Sequence, residues 1–361
     1  MFWQPLLSIA LWSALAAPHK DVIEKKYPDG VVKSRSEVLV DAQGKSTPHG
    51  KQTRYYPNGK PSQEENYVNG EKEGPWTSWY EAGTKSMEGA YRQGRKHGPE
   101  VHYLPKDVKF LETNYDNGEQ HGKRIEWFGA NRKAREANYV KGQLQGEVAE
   151  WFPDGKPKWL ERYKDNEKDG LAQYWYSNGQ KHYEVPYKAN RKNGHFQEWH
   201  RGGKDKLSVD YRNGSREGKV TTWFANGKKQ TEGQYVDGQP NGAWLEWTDK
   251  EAKVSELKWN NGQPEGPQNY WHPNGKKKLE MTYVNGKQDG AWQEWYDNGQ
   301  QRGIGRYVKG QPDGEFKHWF EDGKQQSVHT FDQGMKTGTW TDWDKQGKPS
   351  QIKYKNGVAL E

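Results

Sequence analysis

The chain has 361 residues, 56 of them basic and 49 acidic, for a net charge of +7, with 30% hydrophobic residues and a mean hydropathy of −1.34. Polarity of that order normally means disorder, but 19 tryptophans and 21 tyrosines exclude it, because disordered chains are poor in aromatics. The absence of cysteine excludes disulfides, thiolate chemistry and a lipid-modified cysteine, and no run of five or six like charges offers a nucleic-acid arm.

Residues 1–17 read as a secretory signal. Leu6 to Ala16 is mostly apolar, and Ala14-Leu15-Ala16 supplies the small-x-small pattern before a cut near Ala16 or Ala17. The stretch is shorter than the roughly 20 apolar residues a spanning helix needs, so no transmembrane segment is expected in the mature chain. This predicts export, to the periplasm or the extracellular space.

Residues 18–49 form a divergent N-terminal capping unit. Tyr27-Pro28-Asp29-Gly30 lies 29 residues before Tyr56-Pro57-Asn58-Gly59, about five more than the period that follows. From Gly50 to Gly338, thirteen glycines recur every 24 residues, and five residues after each stands a Trp or, at Tyr55 and Tyr103, a Tyr. A fixed period of this size is the signature of a repeat array. Residues 50–337 are therefore twelve 24-residue repeats, and 338–361 a C-terminal capping unit in which Tyr354 and Gly357 arrive one residue early.

Two turn signals divide each repeat. The first is Asn-Gly or Asp-Gly, as in Pro57-Asn58-Gly59 and Pro273-Asn274-Gly275. This pair suggests a type I′ hairpin turn, whose two central residues both need positive φ. The second turn, as in Val68-Asn69-Gly70, carries Gly in ten of the twelve complete repeats and Asn166 or Asn190 in the others. Asn is the best non-glycine occupant of the left-handed region, so the exchange itself reports positive φ. The glycines are backbone requirements and not a nucleotide cradle. Two short strands and two turns per repeat leave no room for a helix. The expected fold is all-β, an elongated single-sheet antiparallel β-hairpin repeat array, roughly 120–130 Å long at about 4.8 Å per strand.

Three side-chain columns follow from the period. The Trp column is the first. Tyr67, Tyr91, Tyr115 and their successors form the second, and Glu64, Glu88, Glu112, Glu136, Glu184, Glu232, Glu256 and Glu280 the third. With ideal two-residue turns, Trp and Glu share one face and Tyr takes the other, unless a bulge reverses them.

Met87-Glu88-Gly89-Ala90-Tyr91-Arg92-Gln93-Gly94-Arg95-Lys96-His97-Gly98 resembles the MORN repeat, and Thr231 to Gly242 and Gly303 to Gly314 match almost as well. Most other units replace the glycine seen at Gly89 and Gly305, and are similar to the bacterial variant branch, whose members are often labelled antitoxins. The resemblance covers Gly50 to about Gly357. It implies a MORN-like solenoid, and scaffold, lipid-binding or antitoxin-type roles.

No site for chemistry emerges. The nearest histidine pairs, His97 with His102 and His195 with His200, lack the i, i+4 spacing of a zinc site. The Glu column recurs in near-identical surroundings, whereas an acid–base pair needs two unlike carboxyls. It suits a solvated ladder paired with Lys60, Lys156, Lys204, Lys228, Lys276, Lys324 and Lys348. No catalytic residue, metal or cofactor is expected. The expected function is a non-enzymatic scaffold for a protein partner, one version being the neutralisation of a toxin-like protein, with no nucleic acid bound. The alternative is a glycan, peptidoglycan or anionic-lipid surface bound through exposed aromatic columns. The candidate binding residues are Trp151, Trp175, Trp199, Trp223, Trp247 and Trp271.

Overall fold

Alternating strands and tight turns leave the chain one solution, an antiparallel meander of hairpins. The computed structural model describes residues 17–129 and 131–360, and every regular element among them is a β-strand. The leader-like stretch through Ala16 lies outside the described residues. Two compact units are formed, Met1–Asn166 and Glu167–Glu361. Both are the predicted all-β antiparallel hairpin repeat.

The second turn is the one expected. Asn69 and Gly70 have φ of 49° and 88°, and Asn166 and Asn190 take the glycine position at 67° and 64°. The first turn differs. Gly59 has φ of 80° but Asn58 is not in the left-handed region, and Tyr56 N–H donates to Lys60 O. This is a three-residue turn closed by glycine, not a type I′ pair. Asn58 is chosen for its side chain: Oδ1 accepts from Lys60 N–H at 3.0 Å and Nδ2 donates to Glu81 O of the next repeat at 3.2 Å. Asn178, Asn226, Asn274 and Asn298 make the same inter-repeat bond.

A turn one residue longer would flip every side chain, but a one-residue bulge cancels it. In the hairpin of Gly194–Trp199 with Asp205–Arg212, Glu198 faces Leu207 while Trp199 faces Asp205, leaving Lys206 extra. From that point the register equals that of an ideal two-residue turn. The C-terminal unit lacks this bulge: Asp342 faces Ser350 and Trp343 faces Pro349 without a shift. The missing bulge residue is why Tyr354 comes one residue early.

One face of the sheet carries the core. In the second unit Ala172, Val185, Phe196, Val209 and Val220 form a buried row, flanked by Tyr187, Tyr211 and Tyr235. In the first unit the same face buries Val148, Ala137 and Trp76 but also Glu65 and Glu100. These acids are ion-paired to Lys72 and Lys96, each at 2.5 Å, as buried carboxylates must be. The repeat's occasional glycine belongs to this row. Gly89 faces Trp76, and Gly233 and Gly305 lie under the rings of Trp244 and Phe316.

Candidate binding surface

The opposite face holds the Trp and Glu columns together, as the register requires. Trp199 and Trp271 each end a six-residue strand that begins at a leading glycine, Gly194–Trp199 and Gly266–Trp271. All six candidate rings, Trp151, Trp175, Trp199, Trp223, Trp247 and Trp271, are half-buried. Their backbone is tied to the preceding repeat: Tyr176 Oη donates to Trp199 O at 3.0 Å, and His200 Nε2 and His272 Nε2 reach the Trp223 and Trp295 carbonyls at 2.8 and 2.9 Å. His195 goes elsewhere, to Asp210 at 2.7 Å.

What covers the rings is a column the sequence reading missed. Three residues before seven of the eight column Glu stands a Lys that pairs with that Glu, and five of these lysines lie over the Trp of the following repeat. Lys181 Nζ is 2.7 Å from Glu184 and 5.4 Å from the Trp199 ring centre. Lys253 is 2.8 Å from Glu256 and 5.0 Å from the Trp271 ring, and Lys109 is 2.8 Å from Glu112 and 5.3 Å from the Trp127 ring. Lys133 with Glu136 and Trp151, and Lys277 with Glu280 and Trp295, repeat it. The signal is legible in the sequence as Lys-x-x-Glu, one position after the lysine expected to pair with the Glu.

Those earlier lysines are not the partners of the Glu ladder. Lys60, Lys204 and Lys276 donate to main-chain carbonyls of the next repeat, at Ala82, Asn226 and Asn298. Lys228 pairs with Glu251, and Lys156 and Lys324 with Asp154 and Asp322. The bulge explains this: it turns the later lysine onto the Glu face and leaves the earlier one beside the turn.

The electrostatics follow the pairing. Burial pushes the Glu184 carboxyl up, but donation from Lys181 and Gln173 outweighs it and holds the group below its ordinary range. At Glu88, donation from Lys85 and then Tyr103 lowers the carboxyl. Tyr103 is pushed up to about 12 by burial and by its bond to Glu88. Glu88 and Glu184 are therefore ionised and neutralised in place. Both belong to the paired ladder, and neither shows the raised proton affinity that a general acid needs.

The column lysine is missing before Trp79, Trp175, Trp223, Trp319 and Trp343, where Pro61, Pro157, Asp205, Gln301 and Gln325 stand, so that only before Trp223 is it replaced by an acid. Asp205 and Ser208 occupy the positions of the Lys and Glu before that Trp, and Asp205 shares a shallow cleft with Trp223, Lys204 and Asn226. The other side of Trp223 faces a second cleft, lined also by Lys229, Trp247 and Glu251. Among the described residues no helix is long and apolar enough to cross a membrane.

Compared with known protein families, the chain matches the model described as "MORN repeat variant" at residues 48–69, 168–189, 216–237 and 264–285. No curated protein matches it in sequence. Among solved structures it is similar to "Crystal Structure of TcdB2-TccC3", at 13% identity and TM-score 0.17, over 94% of this chain and 20% of that one. A Photorhabdus luminescens Tc holotoxin pore structure is matched at 10% identity and TM-score 0.16, over 93% of this chain and 23% of that one. The chain thus spans about a fifth of the length of these neighbours. Likeness this loose carries no functional weight.

Proposed function

We propose that this chain of MORN-variant repeats is a non-enzymatic scaffold that binds a protein partner along its Trp, Lys and Glu face. One observation carries the reading: at five repeats the face sets a cation, a carboxylate and an indole together in the same arrangement, while the opposite face carries the core. Tryptophan is among the side chains that dominate protein-binding hot spots, and repeat arrays bind along broad surfaces of this kind. A glycan stacking on bare indoles fits less well, because five of the rings already carry a lysine ammonium.

The scaffold acts outside the cytoplasm, on the strength of the apolar Leu6–Ala16 segment, and a toxin-like protein is the partner that the antitoxin label of similar bacterial repeats suggests. Affinity capture from the envelope fraction of the native host tests the reading, with Trp199→Ala and Trp247→Ala as face variants. A partner retained by the wild type and lost by folded variants is expected. Recovery of intact Met1 protein from the cytoplasm would remove the envelope location, and undiminished capture by both variants would remove the face.

A further inference from the structure

Five lysines of the chain show what the space in front of a column Trp accepts: an ammonium over the ring, neutralised by a carboxylate. The ring of Trp223 lies at the same place in its repeat, but Asp205 stands where the lysine stands elsewhere. Compared with a Lys–Glu pair, Asp205 and Ser208 remove the cation and leave one uncompensated negative charge. Among the described residues no cation lies over the Trp223 ring. The basic groups nearby are engaged: Lys204 with Asn226 O at 2.7 Å, Lys206 with Glu198 at 2.7 Å, and Lys229 with Glu232 at 2.6 Å. Asp205 itself is exposed and accepts one bond, from Gln197 Nε2 at 2.9 Å. A carboxylate has about four acceptor directions, so capacity remains.

We propose that the cleft between Asp205 and Trp223 receives a lysine or arginine side chain of the partner protein, which completes there the arrangement the chain builds for itself at Trp199 and Trp271. An incoming cation stacks on the indole and pairs with Asp205, the one acid that the repeats place at the lysine position, and this gives the surface a register point. This inference rests on the scaffold reading, since it names the chemistry of one contact on the same face.

The test is titration of the purified protein with a capped hexalysine peptide, followed by tryptophan fluorescence. Asp205→Lys places the repeat's own lysine in the cleft. It should weaken hexalysine at least tenfold without lowering the melting temperature, and Asp205→Asn should weaken it by a smaller factor. Equal affinity in the wild type and Asp205→Lys overturns the inference. So does binding of neutral chitohexaose but not hexalysine, which would make the cleft a sugar site. The two readings fail separately. If Asp205→Lys still captures the native partner at wild-type strength, the cleft is not the contact and the scaffold stands. If the wild type captures no partner, the scaffold reading falls, while the hexalysine titration still decides what the cleft accepts.

Discussion

The indole of Trp76 lies across Gly89, its partner in the sheet, so close that a Cβ on Gly89 would sit 2.9 Å from Nε1. The glycine that marks the better MORN matches is therefore half of a size-matched pair, present where the facing core residue is a large ring. Gly89→Ala should destabilise the first unit by about 1–3 kcal/mol, the usual cost of overpacking. Gly202→Ala, where a Cβ meets nothing within 4 Å and φ is not positive, should be close to neutral. Thermal unfolding of both variants decides it, and equal melting temperatures would dissolve the pairing rule.

Ala189 is held at φ 47° in a turn where other repeats place Asn69, Asn213 or Asn285 near 50°. A residue with a Cβ pays about 1–2 kcal/mol for that region, and Asn less because its side chain bonds locally. Ala189→Asn should therefore raise stability by roughly 0.5–1 kcal/mol, read as a shift in denaturant midpoint without a change in slope. A loss of stability would contradict the turn assignment.

The period, the all-β class and the sharing of a face by Trp and Glu were legible, because a 24-residue identity constrains every repeat at once. Asn166 and Asn190 reported their own backbone geometry by replacing glycine. What escaped was local. Asn58 before Gly59 reads as a type I′ turn, yet the Asn is retained for a bond to the neighbouring repeat, which no single repeat reveals. The longer turn and the compensating bulge cancel in the register, so their only visible trace was the one residue missing from the C-terminal unit. The lysines over the Trp rings were hidden for the same reason, since the bulge decides which of two adjacent lysines faces the Glu.

The Glu184 carboxyl lies below its ordinary range in the folded state. A depressed acid contributes stability that is complete above the unfolded value and is lost as pH falls through the folded one. Melting temperature should thus be flat near neutrality and fall below about pH 4.5, and Glu184→Gln should reduce the slope of that fall. Tyr103, raised to about 12 from 10.0, behaves oppositely: its contribution is whole below pH 10 and is lost as pH rises towards 12. Tyrosinate absorbance of Glu88→Gln should show this tyrosine ionising earlier, and an unchanged titration would contradict the Glu88 bond.

The face that binds can be mapped without knowing the contact in advance. Hydroxyl-radical footprinting of the protein, free and bound to its captured partner, reads protection at each aromatic side chain. The account predicts protection of column residues among Trp151, Trp175, Trp199, Trp223, Trp247 and Trp271, with Trp223 among them, and no change at Tyr187, Tyr211 and Tyr235. Protection confined to those tyrosines, with the tryptophans as reactive as before, would place the partner on the other face and contradict it.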